Sequence, residues 1–417
     1  MKVLKILLSL LLISGMADAG VNWYGYFESQ TDGAILEKES ILYGYNKLRL
    51  DFEANPGENV RIGVNANVKQ MWGQTTFDLL DYLPEHIIPP SSPEPSLSSM
   101  SEFPYTLQDT FYIDNMFLQL FSSHFRLTLG KQQISPGTGY VWNPTDIFNV
   151  KDIMDPAYEQ TGVTAIGLDI YPMAGNSIFL AIQPKEDVDH TTWYARIRQS
   201  TAALDLSLNI AQYAWTESGF YDPLLFPWKR TYKRFMTGAA FSADIAGFGV
   251  HGEYAYNKLT SLDFYIHIPT DIEILILPEN TARFSSGEHY MEYLAGVDYT
   301  FENSLYVMAE YFHSDFGKKK DELVFNDFLQ YMSGTTRSMN QDYLFFQAMY
   351  PVTDLITSTA FIITNLNDQS TALNFQLSTT LGNNVETDIL GSWFIGDTDT
   401  EFGAQKAGGR IRLKVFF

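Results

Sequence analysis

Arginine and lysine recur at every second position in several segments, and this spacing is the feature of the sequence most able to do chemistry. Arg410, Arg412 and Lys414 alternate with small or apolar residues near the end of the chain, and Lys47 and Arg49 do so near its start. Because side chains alternate faces along a strand, each set shares one face. Basic residues inside a low-dielectric wall focus a positive potential that attracts anions. The predicted basic positions are Lys47, Arg49, Arg61, Lys69, Arg126, Arg196, Arg198, Arg234, Arg410, Arg412 and Lys414.

Fewer carboxylates are evident on the same polar faces. They are Asp51, Glu53, Asp169, Asp205, Glu253 and Asp388. The whole chain nevertheless has a formal net charge of -22, so its acidity is concentrated between the strands. Two interpretations stay open. The basic face is either uncompensated, or it is paired with carboxylates of neighbouring strands that the sequence does not identify.

Other reactive groups give weaker indications. His251 and Glu253 share a face, but no nucleophile can be assigned to them, as a catalytic site requires. Carboxylates alternate from Asp397 to Glu401, without the glycine and full ligand set of an EF-hand calcium loop. The absence of cysteine excludes disulfides and thiolate chemistry. We therefore predict no enzymatic activity, no metal site and no cofactor.

The elements that must position the basic residues are β-strands, because apolar and polar residues alternate over 47–54, 60–69 and 204–210. This pattern fits a soluble sandwich or a membrane barrel. Strands of about ten residues, charged polar faces and aromatic residues near strand ends favour the barrel. The predicted aromatic girdle is Trp23, Tyr24, Tyr26, Trp193, Tyr254, Tyr256, Tyr290, Tyr293 and Trp393, with Tyr194 as a further candidate for either the girdle or sugar stacking. The predicted fold is all-β, a transmembrane antiparallel β-barrel.

Connections of two lengths alternate along the chain, as periplasmic turns and extracellular loops do in such barrels. Short turns are predicted at 55–57, 122–124, 172–176, 246–247, 302–303 and 382–384. Long loops are predicted at 72–108, 133–160, 184–191, 215–231, 257–288, 315–341 and 396–407. This rhythm gives about eighteen strands, with sixteen as the alternative. Residues 261–277 form either a ribbon outside the membrane or two more strands.

The beginning of the chain has the features of an export signal. Lys2 and Lys5 precede an apolar run over 6–13, and Ala17-Asp18-Ala19 is a small-residue cleavage site. We therefore predict a cleavable signal peptide over residues 1–19 and one barrel domain over 20–417. The predicted location is the bacterial outer membrane.

The last strand carries the most specific pattern. Ile411, Leu413, Val415 and the terminal Phe417 alternate with basic residues. This pattern resembles the C-terminal signature of bacterial outer-membrane β-barrels, including porins. The resemblance implies that these four residues are the signal recognised by the barrel assembly machinery.

A second resemblance covers residues 125–171, which are similar to a segment of alginate-export barrels. The matching residues are Gly130, Lys131, Gln132, Gly137, Gly139, Asn143, Pro144, Thr145 and Asp146. The chain departs from that pattern at Ser135-Pro136-Gly137, where such relatives have Trp-Gly. The residues themselves indicate a strand broken by proline and glycine, followed by turn chemistry at 143–146. Such a loop either folds inward or stays on the surface, so Asn143, Pro144, Thr145 and Asp146 are candidates for a constriction.

These features predict a channel for passive passage of small polar or anionic solutes. One alternative is an export channel for an acidic exopolysaccharide, as the second resemblance implies. Another is a barrel that acts through its surface loops, for example in adhesion. The expected partners are outer-membrane lipid, the assembly machinery and small or polymeric anions. The acidic pI near 4.6 argues against nucleic acid.

Overall fold

The computed structural model describes residues 21–36, 39–84, 87, 103–151, 154–155, 158–221, 226–266 and 286–417. Within these residues, eighteen strands form one antiparallel sheet that closes when the first strand pairs with the last. The barrel strands are β1 (Val21–Leu36), β2 (Ser40–Gly57), β3 (Val60–Gly73), β6 (Thr110–Phe121), β7 (Phe125–Gln132), β8 (Val163–Met173), β9 (Asn176–Gln183), β10 (Thr192–Ser200), β11 (Leu204–Tyr221), β12 (Phe226–Ile245), β13 (Phe248–Ile266), β14 (His289–Thr300), β15 (Tyr306–Ser314), β16 (Asp342–Thr353), β17 (Ile356–Asn365), β18 (Thr371–Leu381), β19 (Val385–Ile395) and β20 (Gln405–Phe416). The predicted barrel and its eighteen strands are confirmed. The predicted signal peptide lies outside the described residues.

The remaining elements lie in two connections. Strands β4 (Thr76–Asp78) and β5 (Pro104–Thr106) pair with each other between β3 and β6. Helix α1 (Phe325–Met332) and a 3-10 turn (Lys320–Glu322) lie between β15 and β16, and a second 3-10 turn (Leu79–Tyr82) follows β4. The side chain of Asp327 accepts the backbone N–H of Val324 at 2.9 Å and so satisfies one free donor at the start of α1. Among the described helices, none is long and apolar enough to cross a bilayer.

The two faces of the sheet follow the predicted alternation. Leu208 and Ile197 point outward and are 65% and 60% exposed. Lys47, Asn209 and Arg412 point inward and are at most 7% exposed. Outside a membrane barrel the solvent is lipid, so the exposed apolar residues have an apolar environment. The polar residues are left for the lumen.

Short turns join the strands at one end of the barrel, and most connections at the other end are longer. The six predicted turns lie where β2, β6, β8, β12, β14 and β18 end. Turns at 201–203 and 354–355 were not predicted. The first of these contains Thr201, Ala202 and Ala203, which carry no turn signal of the glycine, proline or asparagine type. At the loop end, β1 and β2 are also joined closely, because β2 begins at residue 40.

Two predicted loop ranges are wrong. Strand β11 continues to Tyr221 and β12 begins at Phe226, inside the predicted loop 215–231. Strand β13 continues to Ile266, which pairs with Trp228 of β12. Three strands therefore extend beyond their neighbours as a ribbon, where a lipid-facing alternation is no longer required. The ribbon rests on α1 and its loop: the Trp215 indole donates to the carbonyl oxygen of Thr335 at 2.9 Å. Residues 267–277 of the predicted ribbon or strand pair lie outside the described residues.

The face assignment makes a prediction for β3. Val64 lies opposite Phe52 and Met116 on the lipid side, whereas the amide of Asn65 donates to Asp51 in the lumen. Val64→Arg should destabilise the folded barrel by ~2–4 kcal/mol if the site is near the bilayer midplane. Asn65→Arg is the matched control, because its guanidinium stays hydrated beside Asp51. The measurement is the unfolding free energy in lipid vesicles, and equal values for the two variants would contradict the assigned faces.

Candidate functional site in the barrel lumen

The described residues of the connection between β7 and β8, namely 133–151, 154–155 and 158–162, lie inside the barrel and are called the inner loop here. Glu253 of β13 binds its backbone. The Glu253 carboxylate accepts the N–H groups of Thr138, Gly139 and Thr145, the last two at 2.9 and 3.0 Å. It also accepts the Thr145 hydroxyl at 2.8 Å. A single carboxylate therefore satisfies four donors of a segment that has no strand partner.

A second wall carboxylate, Glu310 of β15, binds the next part of the inner loop. It accepts the N–H groups of Tyr140, Val141 and Trp142 at 2.8, 3.0 and 3.2 Å. His251 lies 3.0 Å from Glu310 through its Nε2 atom. Since His251 contacts Glu310 and Glu253 binds the loop, both members of the histidine–glutamate pair seen in the sequence have structural partners.

The four constriction candidates lie in a buried turn of the inner loop. The N–H of Asp146 donates to the carbonyl oxygen of Asn143 at 3.1 Å, and the Asp146 carboxylate accepts the N–H of Phe148 at 2.9 Å. Burial raises the pKa of Asp146 to about 6. The guanidinium of Arg337, from the loop between β15 and β16, donates to the carbonyl oxygens of Asn143 and Asp146. Thr145 is fully buried, so the turn anchors the inner loop and does not itself border an open passage.

The inner loop ends on the opposite wall, formed by β1, β2 and β20. Asp155 lies between Arg410 and Arg412, at 2.7 and 2.6 Å from their guanidinium nitrogens. Glu159 lies 2.7 Å from Lys47. Burial opposes ionisation of Glu159, but hydrogen bonds from Lys47 and the Tyr26 hydroxyl outweigh it and lower its pKa to about 2. Glu159 is therefore an anion at neutral pH.

Most of the predicted basic residues have a carboxylate partner. Arg61 pairs with Glu53, Arg126 with Asp169, Arg198 with Asp205, Arg234 with Glu292, and Arg49 and Lys414 with Glu159 among others. Several carboxylates that face inward are absent from the acidic residues predicted from the sequence. They are Glu28, Asp32, Asp114, Asp155, Glu159, Glu217, Glu292 and Glu310. Asp155 and Glu159 were not predicted because they belong to a loop. Glu292 and Glu310 were not predicted because their strands carry apolar residues on both faces, so the polar face could not be recognised.

Two of the eleven basic residues have no carboxylate partner in the part of the chain that the structure describes. The ammonium of Lys69 lies 3.9 Å from the ring centroid of Tyr45. The Nε atom of Arg196 is buried without a hydrogen-bond partner, and its guanidinium lies 5.8 Å from the ring centroid of Phe179. A cation that is not neutralised locally contributes most to the potential of the lumen.

Arg196 borders a polar space beneath the inner loop that we call the arginine cavity. Its volume is about 430 Å³. Its charged lining consists of Arg49, Arg61, Arg126, Arg196, Glu53 and Asp169. Gln133 and Pro136 of the inner loop also border this cavity. Four arginines and two carboxylates line it, but Arg49 is also paired with Asp51 and Glu159 outside this lining, so the excess positive charge rests on Arg196.

A second space, the aromatic cavity, lies on the other side of the inner loop and also has a volume of about 430 Å³. Tyr140, Tyr306, Phe345 and Phe361 are among its lining residues, with Asp155 at its border. A third space of about 440 Å³, the outer vestibule, opens toward the loop end and includes Met154, Asp32 and Arg410 in its lining. The inner loop therefore divides the lumen into compartments.

Some aromatic residues lie elsewhere than the girdle prediction requires. Trp23, Trp193 and Trp393 do face outward and are 43% to 64% exposed. Tyr26 and Tyr194 are buried in the lumen, and Tyr24 borders the arginine cavity, where its hydroxyl donates to Glu53 at 2.9 Å. These tyrosines use their hydroxyl groups inside the barrel, which alternation alone does not reveal. No three His, Asp or Glu side chains of the described ranges are arranged to hold a metal ion.

The closing strand places the predicted assembly signal on the lipid side. Ile411, Leu413 and Phe417 are 56%, 39% and 49% exposed. The backbone of Phe417 exchanges two hydrogen bonds of 3.0 Å with Gly25 of β1, so the terminal residue completes the closure. Recognition by the assembly machinery stays a prediction.

The architecture matches known barrels. OccAB1 of Acinetobacter baumannii has a TM-score of 0.55 and 10% identity, over 95% of this chain and 96% of that one. OpdL of Pseudomonas aeruginosa has a TM-score of 0.55 and 10% identity, over 96% and 99%. OccK8 (OprE) of Pseudomonas aeruginosa has a TM-score of 0.52 and 8% identity, over 95% and 98%. The chain has the fold of bacterial outer-membrane porins.

The sequence itself matches no protein-family model and no curated protein. The similarity to these porins is therefore one of fold, and the outer-membrane location stays a prediction. The solved structures named above do not show the resemblance of residues 125–171 to alginate-export barrels, which stays a prediction.

The anchoring of the inner loop can be tested at Glu253. Glu253→Leu removes the acceptor of the partly buried N–H of Thr138 and of the buried N–H groups of Gly139 and Thr145, and a buried N–H costs about 1–3 kcal/mol when it is left unpaired. We expect the loop to leave its position and single-channel conductance to rise. Glu253→Gln is the matched control, because it keeps the shape and one acceptor oxygen. Identical conductance of Glu253→Leu and the native protein would show that Glu253 does not hold the loop.

Proposed function

We propose that the protein is an outer-membrane channel for passive diffusion of small anionic solutes. The observation that carries this proposal is the arginine cavity, which is lined by four arginines and two carboxylates and in which Arg196 forms no ion pair with any carboxylate of the described residues. A positive region inside a low-dielectric wall raises the local concentration of anions. Several weak contacts allow a solute to enter and also to leave. No catalysis is needed for this function.

The inner loop favours small solutes over polymers. It crosses the lumen from Glu253 and Glu310 on one wall to Lys47 and Arg412 on the other. The spaces around it are each about 430–440 Å³, a size that suits small molecules. An extended polysaccharide would require the whole loop to leave its anchors, so the export alternative is less well supported.

The charge of Arg196 should set part of the ion selectivity. We expect a planar-bilayer channel of the native protein to prefer chloride over potassium across a potassium chloride gradient. Arg196→Gln should shift the reversal potential toward the cation value, because it removes a cation that forms no direct ion pair with a carboxylate of the described chain. The shift should shrink at high salt, where the Debye length falls to ~3 Å at 1 M.

Lys233→Gln provides the control for this experiment. Lys233 pairs with Asp189, an exposed residue of the connection between β9 and β10, and its replacement changes the net charge equally. We expect a much smaller change of the reversal potential from this variant. A native channel that prefers potassium, or a barrel that carries no current, would reject the proposed function.

A further inference from the structure

Five basic side chains of β2 and β20 converge on two carboxylates that belong to the inner loop. We call these five residues the basic wall: Lys47, Arg49, Arg410, Arg412 and Lys414. One oxygen of Asp155, Oδ2, lies 2.7 Å from Nη1 of Arg410 and 2.6 Å from Nη2 of Arg412. The arrangement around this oxygen is that of two guanidinium groups binding a single anion.

Glu159 occupies the other half of the basic wall. Its Oε2 atom lies 2.7 Å from Lys47 and 3.2 Å from Arg49, and its Oε1 atom lies 3.2 Å from Lys414. The Tyr26 hydroxyl also donates to Oε1. The Glu159 side chain keeps 30% of its surface accessible, whereas the wall carboxylates Asp51 and Glu28 keep 5% each. Of the carboxylates that meet the basic wall, Glu159 is thus more open to exchange than those on the strands.

The ion pair of Asp155 lies at the junction of two compartments. Arg410 and the neighbouring Met154 line the outer vestibule, whereas Asp155 itself and Tyr158 line the aromatic cavity. A solute that passes from the vestibule into this cavity therefore meets the Asp155–Arg410 contact. Two side chains of β1 fix the arginines: Asp32 lies 2.7 Å from Nε of Arg410, and Gln30 accepts a hydrogen bond of 2.8 Å from Nε of Arg412. The arginines are thus fixed on the wall while their partner belongs to a loop.

We propose that Asp155 and Glu159 are internal anions that occupy the anion sites of the basic wall and close the passage until a permeating anion displaces them. This inference rests on the proposed function and names the residues that regulate it. The exchange is purely ionic: the loop carboxylates lose their contacts with the basic wall, and the solute anion gains the same contacts. The wall stays neutralised throughout, which avoids the cost of leaving buried cations unpaired.

The test uses the double variant Asp155→Asn, Glu159→Gln in planar bilayers with potassium chloride alone. Both substitutions preserve shape and remove the competing charges. At low salt we expect the chloride current to rise, and the chloride-to-potassium permeability ratio to increase by about twofold or more. The matched control is Glu186→Gln, Asp187→Asn. It also removes two negative charges, but from the connection between β9 and β10, where Asp187 pairs with His190 and not with the basic wall.

The salt dependence of the conductance distinguishes loop carboxylates that anions displace from loop carboxylates that only anchor the loop. In the native channel, screening weakens the contacts of the loop carboxylates, so conductance relative to bulk conductivity should rise with salt. In the double variant this rise should be absent, because the two loop anions that screening would release are gone, whereas Asp32, Glu28 and Asp51 belong to the strands and stay in place. A variant with unchanged selectivity and unchanged salt dependence would overturn the inference, even though the native channel still conducts anions. If the native protein carries no anion current, the proposed function itself is rejected, and this inference is rejected with it.

The assembly of each variant is checked by its heat-modifiable electrophoretic mobility. If the double variant does not assemble, Asp155→Asn and Glu159→Gln are measured singly, and each should move selectivity in the same direction. A decrease of the chloride current in both single variants would show that these carboxylates shape the pore and do not obstruct it.

Discussion

The inner loop stays inside the barrel because two carboxylates of the wall accept its backbone amides. A segment that enters the lumen loses its hydration, and its N–H groups then need protein acceptors. Glu253 and Glu310 supply them for six loop residues at one side of the lumen: Thr138, Gly139, Tyr140, Val141, Trp142 and Thr145. Arg337 and the basic wall hold further parts of the same loop. The division of the lumen therefore rests on these contacts together, with the two wall carboxylates of β13 and β15 as the acceptors of the loop backbone.

The second constraint is the cost of buried charge. An arginine inside the barrel needs a partner, and each partner lowers the potential that the arginine creates. Arg234 illustrates the limit: it is 2% exposed, pairs with Glu292 and lies 4.3 Å from the Phe316 ring centroid. It consequently serves the packing of the wall. Arg196 has no such partner among the described residues, so the local field of the arginine cavity depends more on it than on its paired neighbours.

The loop end of the barrel is narrowed by packing of apolar side chains. Leu80, Leu83 and Ile87, which follow β4, contact Phe325 and Phe328 of α1 in one buried cluster. Two connections that are far apart in the sequence therefore cover part of the opening together. The outer vestibule remains beside them, along β1, β2, β19 and β20. Access to the basic wall is directed to this side of the barrel.

Much of the architecture could be predicted from the sequence. The alternation in Val60 to Val68 and in Leu204 to Ile210 determines which side chains face lipid, because a strand has a period of two residues. Turn residues such as Asn55-Pro56-Gly57 set most of the hairpin ends, and the resulting count of eighteen strands is correct. Most of the ribbon of β11, β12 and β13 was missed, because residues 215–231 were assigned to a loop; only 261–266 belonged to a segment for which a ribbon was one of two alternatives.

The candidate site was predictable only in part. The sequence by itself determined that basic residues such as Arg410 and Lys47 face the lumen, since that follows from local periodicity. Only the tertiary structure decided which carboxylates meet them. Asp155 and Glu159 reach the basic wall through a loop that crosses the barrel, and Lys47 lies 112 residues from Glu159 in the chain. Pairing over such distances depends on the closure of the sheet and the path of the loop, which no local pattern encodes.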